Sequence, residues 1–150
     1  MTVRGSSRML AGFSLVELYI VVALLGILMA IAVPTWQEHL RSARRDNALL
    51  TLAMIEARQA RYLLENRRYA GQTELYSPRP NGLGLSAQAG AYYNFAIQPD
   101  PTGYLAVATT RADTPQRRDV LCYQLMLDAT GLRRSMTQQG ADSTERCWRD

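Results

Sequence analysis

A single carboxylate at the edge of an uninterrupted apolar run constrains this chain more than any other feature. Residues 12–34 open Gly12-Phe13-Ser14-Leu15-Val16-Glu17-Leu18 and continue without another charge to Pro34. Glu17 is the only charged side chain between Arg8 and Glu38. A stretch of that length and composition is long enough to cross a bilayer, and an ionisable residue inside it marks a functional position by default. Leu18, Ile20, Val21, Val22, Leu24, Leu25, Ile27, Leu28, Ile31 and Val33 together favour insertion by about 3 to 6 kcal/mol. A carboxylate at the bilayer centre costs about 2.5 to 3.5 kcal/mol, and less near the end of a span. Insertion wins, and Glu17 gains from a cationic partner.

Two simpler readings of the same residues stand beside this one. Arg4 and Arg8 form a basic n-region and Ala30-Ile31-Ala32 imitates a small-residue cleavage site, as in a secretory signal peptide, although the apolar region is long for one and contains an acid. Ser14-Leu15-Val16-Glu17 also fits the S-x-x-E capping box, in which an acid in the first turn suits the helix dipole. That local role and a role between subunits can coexist.

The segment GFSLVELYIVVALLGILMAIAVP resembles the N-terminus of the type IV pilin family. The resemblance implies that residues 1–12 are a leader, that a prepilin peptidase cuts between Gly12 and Phe13, and that Phe13 is then N-methylated. It implies that Glu17 pairs with the N-terminal amine of a neighbouring subunit, and that Gly26 and Pro34 are the places where the helix loosens or kinks. The helix end around Glu56–Tyr69 and the ending Cys147-Trp148 are most similar to the PilE-type minor pilins. The chain departs from that pattern at Leu18-Tyr19 and in the Arg-rich stretch before Cys122.

With 150 residues the chain holds one domain plus an anchor. Loss of residues 1–12 removes Arg4 and Arg8 and leaves a charge of +2 from the formal +4, which weakens any argument from a basic pI. Apart from His39 every basic side chain is Arg. The two cysteines, Cys122 and Cys147, read as one disulfide in an exported protein, worth roughly 3 to 4 kcal/mol in the chain-entropy account. Two Cys and a distant His have no zinc spacing, so no metal and no cofactor is expected.

The fold expected is α+β: a long, kinked N-terminal helix packed on a four-stranded antiparallel sheet, with a disulfide-bounded C-terminal loop. Residues 13–34 form the transmembrane and assembly half of the helix. The globular domain is 35–150, divided into an amphipathic helix half (35–64), a connecting loop (65–90), and the sheet with its C-terminal loop (91–150). The helix is interrupted at Pro34; its roughly 50 residues would span about 75 Å, so its second half stands outside the bilayer. There Leu40, Ala43, Leu50, Met54, Ala57 and Leu64 follow helical spacing, with Leu49, Leu52, Ile55 and Tyr62 widening the face, and the sheet is expected to dock on this stripe. Strands are expected at Tyr92–Gln98, Tyr104–Thr110, Val120–Leu127 and Leu132–Met136, with Asp100 and Asp128 in turns.

No catalytic constellation is present. His39 is the lone histidine and has no nucleophile or acid at a useful spacing, and the sequence holds no nucleophile elbow, phosphate loop or EF-hand loop. The chain reads as a substrate of processing enzymes, not an enzyme. The favoured function is a structural minor pilin that is inserted in the inner membrane with its globular domain periplasmic. It is then incorporated in an extracellular filament, priming or supporting assembly for twitching motility and adhesion. Its partners are the major pilin, other minor pilins, the prepilin peptidase, and the inner membrane with its assembly machinery. One alternative is DNA capture for uptake, with Arg117, Arg118, Arg133 and Arg134 contacting phosphates if they converge; solvated, scattered arginines are the simpler reading of those residues. The other is a type II secretion pseudopilin, which shares the N-terminal signal.

Overall fold

The computed structural model describes residues 14–100 and 102–148. The chain divides into two units, Met1–His39 and Leu40–Asp150. Helix α1, Leu15–Asn66, runs without a break through Gly26 and through Pro34, the one place where the sequence predicts an interruption. Proline removes one amide donor, and next to it the Thr35 hydroxyl donates to Ile31 O at 3.1 Å. The remaining intrahelical bonds carry the helix on.

In the first unit α1 buries nothing within the chain. Its apolar side chains are exposed by between 42% (Val21) and 83% (Leu15). This stretch passes the length and composition test for a membrane span, and its apolar surface far exceeds what a soluble monomer leaves bare.

In the second unit α1 turns a different face inward. The buried positions are Ala48, Thr51, Leu52, Ile55, Gln59 and Tyr62. The stripe Leu40, Ala43, Leu50, Met54, Ala57 and Leu64 is instead exposed, with Leu50 at 68% and Leu64 at 84%. The correction has a physical cause. The docked face includes Thr51 and Gln59, which satisfy their polar atoms locally, so a count of apolar residues places the stripe too far round the helix. The helix ends where Arg67 takes a left-handed φ of 57° and its amide donates to Leu63 O at 2.8 Å, an end usually given to glycine.

Four strands follow: β1 (Tyr93–Asp100), β2 (Gly103–Thr110), β3 (Gln124–Asp128) and β4 (Arg133–Met136). They form a single antiparallel meander in the order β1-β2-β3-β4. A core row crosses it in register, Phe95–Ala108–Leu125–Ser135, with Ile97–Ala106–Leu127 beside it. Ala106 and Ala108 are completely buried and join Leu52, Ile55 and Tyr62 in one core; small residues on β2 let α1 approach while the larger side chains of β1 and β3 close over it. The expected strand from Val120 starts only at Gln124, because Val120–Cys122 is a 3-10 turn that brings Cys122 into the core. Asp100 and Asp128 fold the hairpin turns as expected. Each accepts from backbone and hydroxyl two residues on (Thr102 and Thr130), and those bonds hold both carboxyls below the ordinary aspartate range.

The connecting loop is pinned by polar groups. Gln59, fully buried, donates to Ala70 O and accepts from Ala70 N, both at 2.8 Å. Arg58 donates to Leu83 O and Gly84 O, and Arg68 holds the Glu74 carboxyl at about 2. Gly82 leaves no room for a side chain, since a Cβ there would collide with Glu74 O. Gln59→Leu removes both partners of Ala70 inside the core and is expected to destabilise the Leu40–Asp150 unit by about 2 to 4 kcal/mol. Urea denaturation followed by tyrosine fluorescence checks this; an unchanged midpoint would contradict it.

Candidate functional site

Three features could act outside the fold: the exposed half of α1, the disulfide-closed C-terminus, and the arginines. Glu17 lies in the first turn of α1, where a negative charge suits the helix dipole, and it has no ion-pair partner among the described residues. Gly26 sits mid-span, where an added Cβ would meet nothing within 4 Å. Gly12 and Phe13 lie outside the described residues.

Cys122 and Cys147 form a disulfide with Cα atoms 5.8 Å apart. The loop they close is zipped onto β4. Ser143 N donates to Ser135 O, Ser135 N to Thr144 Oγ1, and Gln138 N to Val120 O. The short helix α2 (Thr144–Cys147) hands the chain to Trp148, which packs against the core. Its Nε1 donates to Arg134 O at 2.9 Å, and Arg133 sits over its ring. Trp148 thus anchors the end of the disulfide-closed loop against the core.

The two arginine pairs do not converge. Arg117 and Arg118 end the 3-10 turn Pro115–Arg118, and Arg118 O accepts from Arg41 of α1. Arg133 and Arg134 open β4, just past the β3–β4 turn, where Gly131 lies beside Glu56. Arg41 and Glu56 are roughly 22 Å apart along the helix axis, so the pairs occupy opposite ends of the unit. The fold instead brings Arg118 beside Arg41 of α1, and Asp119, the next residue, to Arg45. Arg44 stacks on Tyr92, 4.4 Å from the ring centroid.

This corner is held by a buried network. Arg45 grips Asp119 through two bonds, Nε–Oδ2 at 3.1 Å and Nη2–Oδ1 at 2.9 Å; the side chains are only 15% and 6% exposed. Gln116 Nε2 lies within hydrogen-bond distance of Asp119 Oδ2, Tyr93 Oη and Arg41 O. Burial, reinforced by the Asp119 charge, pushes the Tyr93 hydroxyl far above its ordinary value, so it stays a neutral hydrogen-bonding group. No local pattern joins Arg45 to Asp119, which is why the sequence did not reveal the network. Among the described residues no group of three or more metal-ligating side chains forms.

A lone acid in an apolar helical stretch, with the same helix continuing onto an antiparallel meander closed by a C-terminal disulfide, is a pilin-like arrangement. Comparison with known proteins makes the class specific. A family model described as "Type IV minor pilin ComP, DNA uptake sequence receptor" matches residues 34–126, and the chain belongs to this type IV minor pilin family. The type IV major pilin protein PilA of Myxococcus xanthus (strain DK1622) is 31% identical over 86 residues, covering 57% of this chain and 36% of that protein. The type II secretion system core protein G of Pectobacterium carotovorum subsp. carotovorum is 28% identical over 95 residues, covering 63% of this chain and 53% of that protein. The matches therefore take in between about a third and a half of the length of these curated relatives.

Removing one partner of the buried pair exposes its structural weight. Asp119→Ala leaves Arg45 enclosed without its counter-charge and is expected to destabilise the unit by about 3 to 5 kcal/mol. Adding Arg45→Met should recover much of that loss in the same urea denaturation. Equal stability of single and double variants would show that the pair is not coupled.

Proposed function

We propose that the protein is a minor subunit of a type IV pilus, held in the inner membrane as a precursor and drawn from there into the filament, where it primes or supports assembly. The observation that carries this reading is the exposed apolar stretch of α1 with one carboxylate in its first turn. Lipid covers that surface before assembly and the helices of the major pilin and other minor pilins cover it afterwards. Cleavage by a prepilin peptidase between Gly12 and Phe13 leaves Phe13 as the N-methylated end, and Glu17 pairs with the corresponding amine of a neighbour. In low dielectric such a pair is strong and an unpaired charge is penalised, so the pair selects one axial register. Gly26 and Pro34 supply the points where the helix yields as subunits pack. The inner-membrane assembly machinery then moves the subunit outward, with the sheet and the disulfide-closed loop on the filament surface, in service of twitching motility and adhesion.

Glu17→Ala is expected to leave cleavage intact, with a mass beginning at Phe13, and to lower the protein recovered in sheared filaments by at least about tenfold, the factor that ~1.4 kcal/mol represents. Wild-type amounts in filaments would overturn the role given to Glu17.

A second reading is favoured by the family description, which names a receptor for DNA uptake sequences. Arg117 and Arg118 are exposed and free of acidic partners among the described residues, and with Arg133 and Arg134 they offer two phosphate-contacting ends roughly 20 Å apart. Under this reading duplex binding weakens steeply with salt, and R117Q/R118Q lowers the log–log slope by about 2. Binding that is absent at low salt, or insensitive to salt, rules it out.

A further inference from the structure

We infer that the Arg45–Asp119 ion pair and the Cys122–Cys147 disulfide form one coupled device. The pair positions Cys122 for its bond to Cys147, and the bond in turn steadies the turn that carries Arg117 and Arg118. The inference goes beyond both readings above, and every residue it uses lies within the Leu40–Asp150 unit.

The connection is short and continuous. Asp119 is the joint between two 3-10 turns, Pro115–Arg118 before it and Val120–Cys122 after it. Its amide donates to Gln116 O at 2.9 Å, and its carbonyl accepts from Cys122 N at 3.2 Å. Its carboxylate is held by Arg45 and Gln116. The side chain and backbone of this one residue thus tie α1 to Cys122.

The other cysteine is positioned independently. Ser143 N donates to Ser135 O, Ser135 N to Thr144 Oγ1, and Trp148 Nε1 to Arg134 O, so β4 holds the segment around Cys147 whether or not its sulfur is bonded. The approach to Cys122 has fewer ties. Behind it, Tyr123 O accepts from Thr110 N; ahead of it stand the bonds of Asp119 and the bond from Gln138 N to Val120 O. Gln138 belongs to the loop that the disulfide closes. Without the ion pair, the Asp119–Cys122 segment relies on that loop; without the disulfide, it relies on the ion pair. Two constraints on one segment reinforce each other, and the coupling is reciprocal.

Closure by glutathione disulfide proceeds by exchange. One cysteine thiolate attacks a glutathione sulfur and expels the first glutathione; the second cysteine attacks the mixed disulfide and expels the other. Two electrons pass from the cysteines to glutathione disulfide, and the two protons the cysteines lose end on the glutathione thiols. The equilibrium is set by how well the folded, reduced chain holds its two sulfurs together, an effective concentration.

The test equilibrates the full chain in detergent with reduced and oxidised glutathione and reads the oxidised fraction by thiol trapping and intact mass. D119A is expected to lower the oxidised-to-reduced constant by at least about fivefold. R45M/D119A, which recovers stability without restoring the pair, keeps the lowered constant, and it carries the test if D119A alone does not fold. Q59L weakens the same unit about 21 Å along α1 from Arg45 and leaves the constant unchanged while the chain stays folded. In the reciprocal arm, hydrogen exchange is followed over residues 114–119 in C122S/C147S. The bonded amides of Arg117 and Asp119 are expected to exchange faster there, by a matching factor. A constant that recovers with stability in R45M/D119A, a constant that falls equally in Q59L, or unchanged exchange in C122S/C147S overturns the inference.

Discussion

The core shared by α1 and the sheet is the constraint on which the Leu40–Asp150 unit depends. Leu52, Ile55 and Tyr62 are buried in one cluster with Ala106 and Ala108 of β2, whose small side chains leave room for the helix. Once that contact exists, both flanking segments are committed. Gln59, on the same face, captures Ala70 and starts the connecting loop in a fixed direction. Near the beginning of the packed stretch, Arg45 captures Asp119 and sets the turn that delivers Cys122 to its disulfide. Two polar side chains thus place segments that apolar packing alone would leave free to slide, because a hydrogen bond has direction and an apolar contact does not.

Two carboxylates need a partner, Asp119 in the turn before Cys122 and Glu17 in the first turn of α1, and the chain supplies only the first. Asp119 is enclosed and receives Arg45, Gln116 and the neighbourhood of Tyr93 from within the same unit. Glu17 has no such partner among the described residues. A charge that must enter lipid or a helical bundle without an internal partner is penalised until something external supplies one.

The arginines divide along the same line. Arg45, Arg61, Arg68 and Arg111 hold acids of their own chain, and Arg58 holds the loop carbonyls. Arg44 stacks on Tyr92, and Arg117 and Arg118 are exposed. The high arginine content therefore serves two purposes: bidentate and carbonyl-directed bonding inside the fold, for which the planar guanidinium is suited, and a positive surface outside it.

Much of this was legible in the sequence, and the limits of that reading have physical causes. The long helix, the turns at Asp100 and Asp128, the strand order and the Cys122–Cys147 bond follow from local patterns: periodicity, turn chemistry and a cysteine pair. Three things did not follow. The apolar count chose Leu50 and Leu64 for the core, whereas the docked face includes Thr51 and Gln59. The strand assigned to Val120–Leu127 begins late because Val120–Cys122 must turn inward. The sequence left open whether Arg117-Arg118 and Arg133-Arg134 converge; they lie apart, and Arg118 meets Arg41 of α1 through its carbonyl instead. The sequence by itself determined that this chain has an apolar helix bearing one acid and a small domain closed by a disulfide, since those properties reside in neighbouring residues. Only the tertiary structure decided which face of the helix is core and which charges are neighbours, because both depend on contacts between residues as distant in sequence as Arg45 and Asp119.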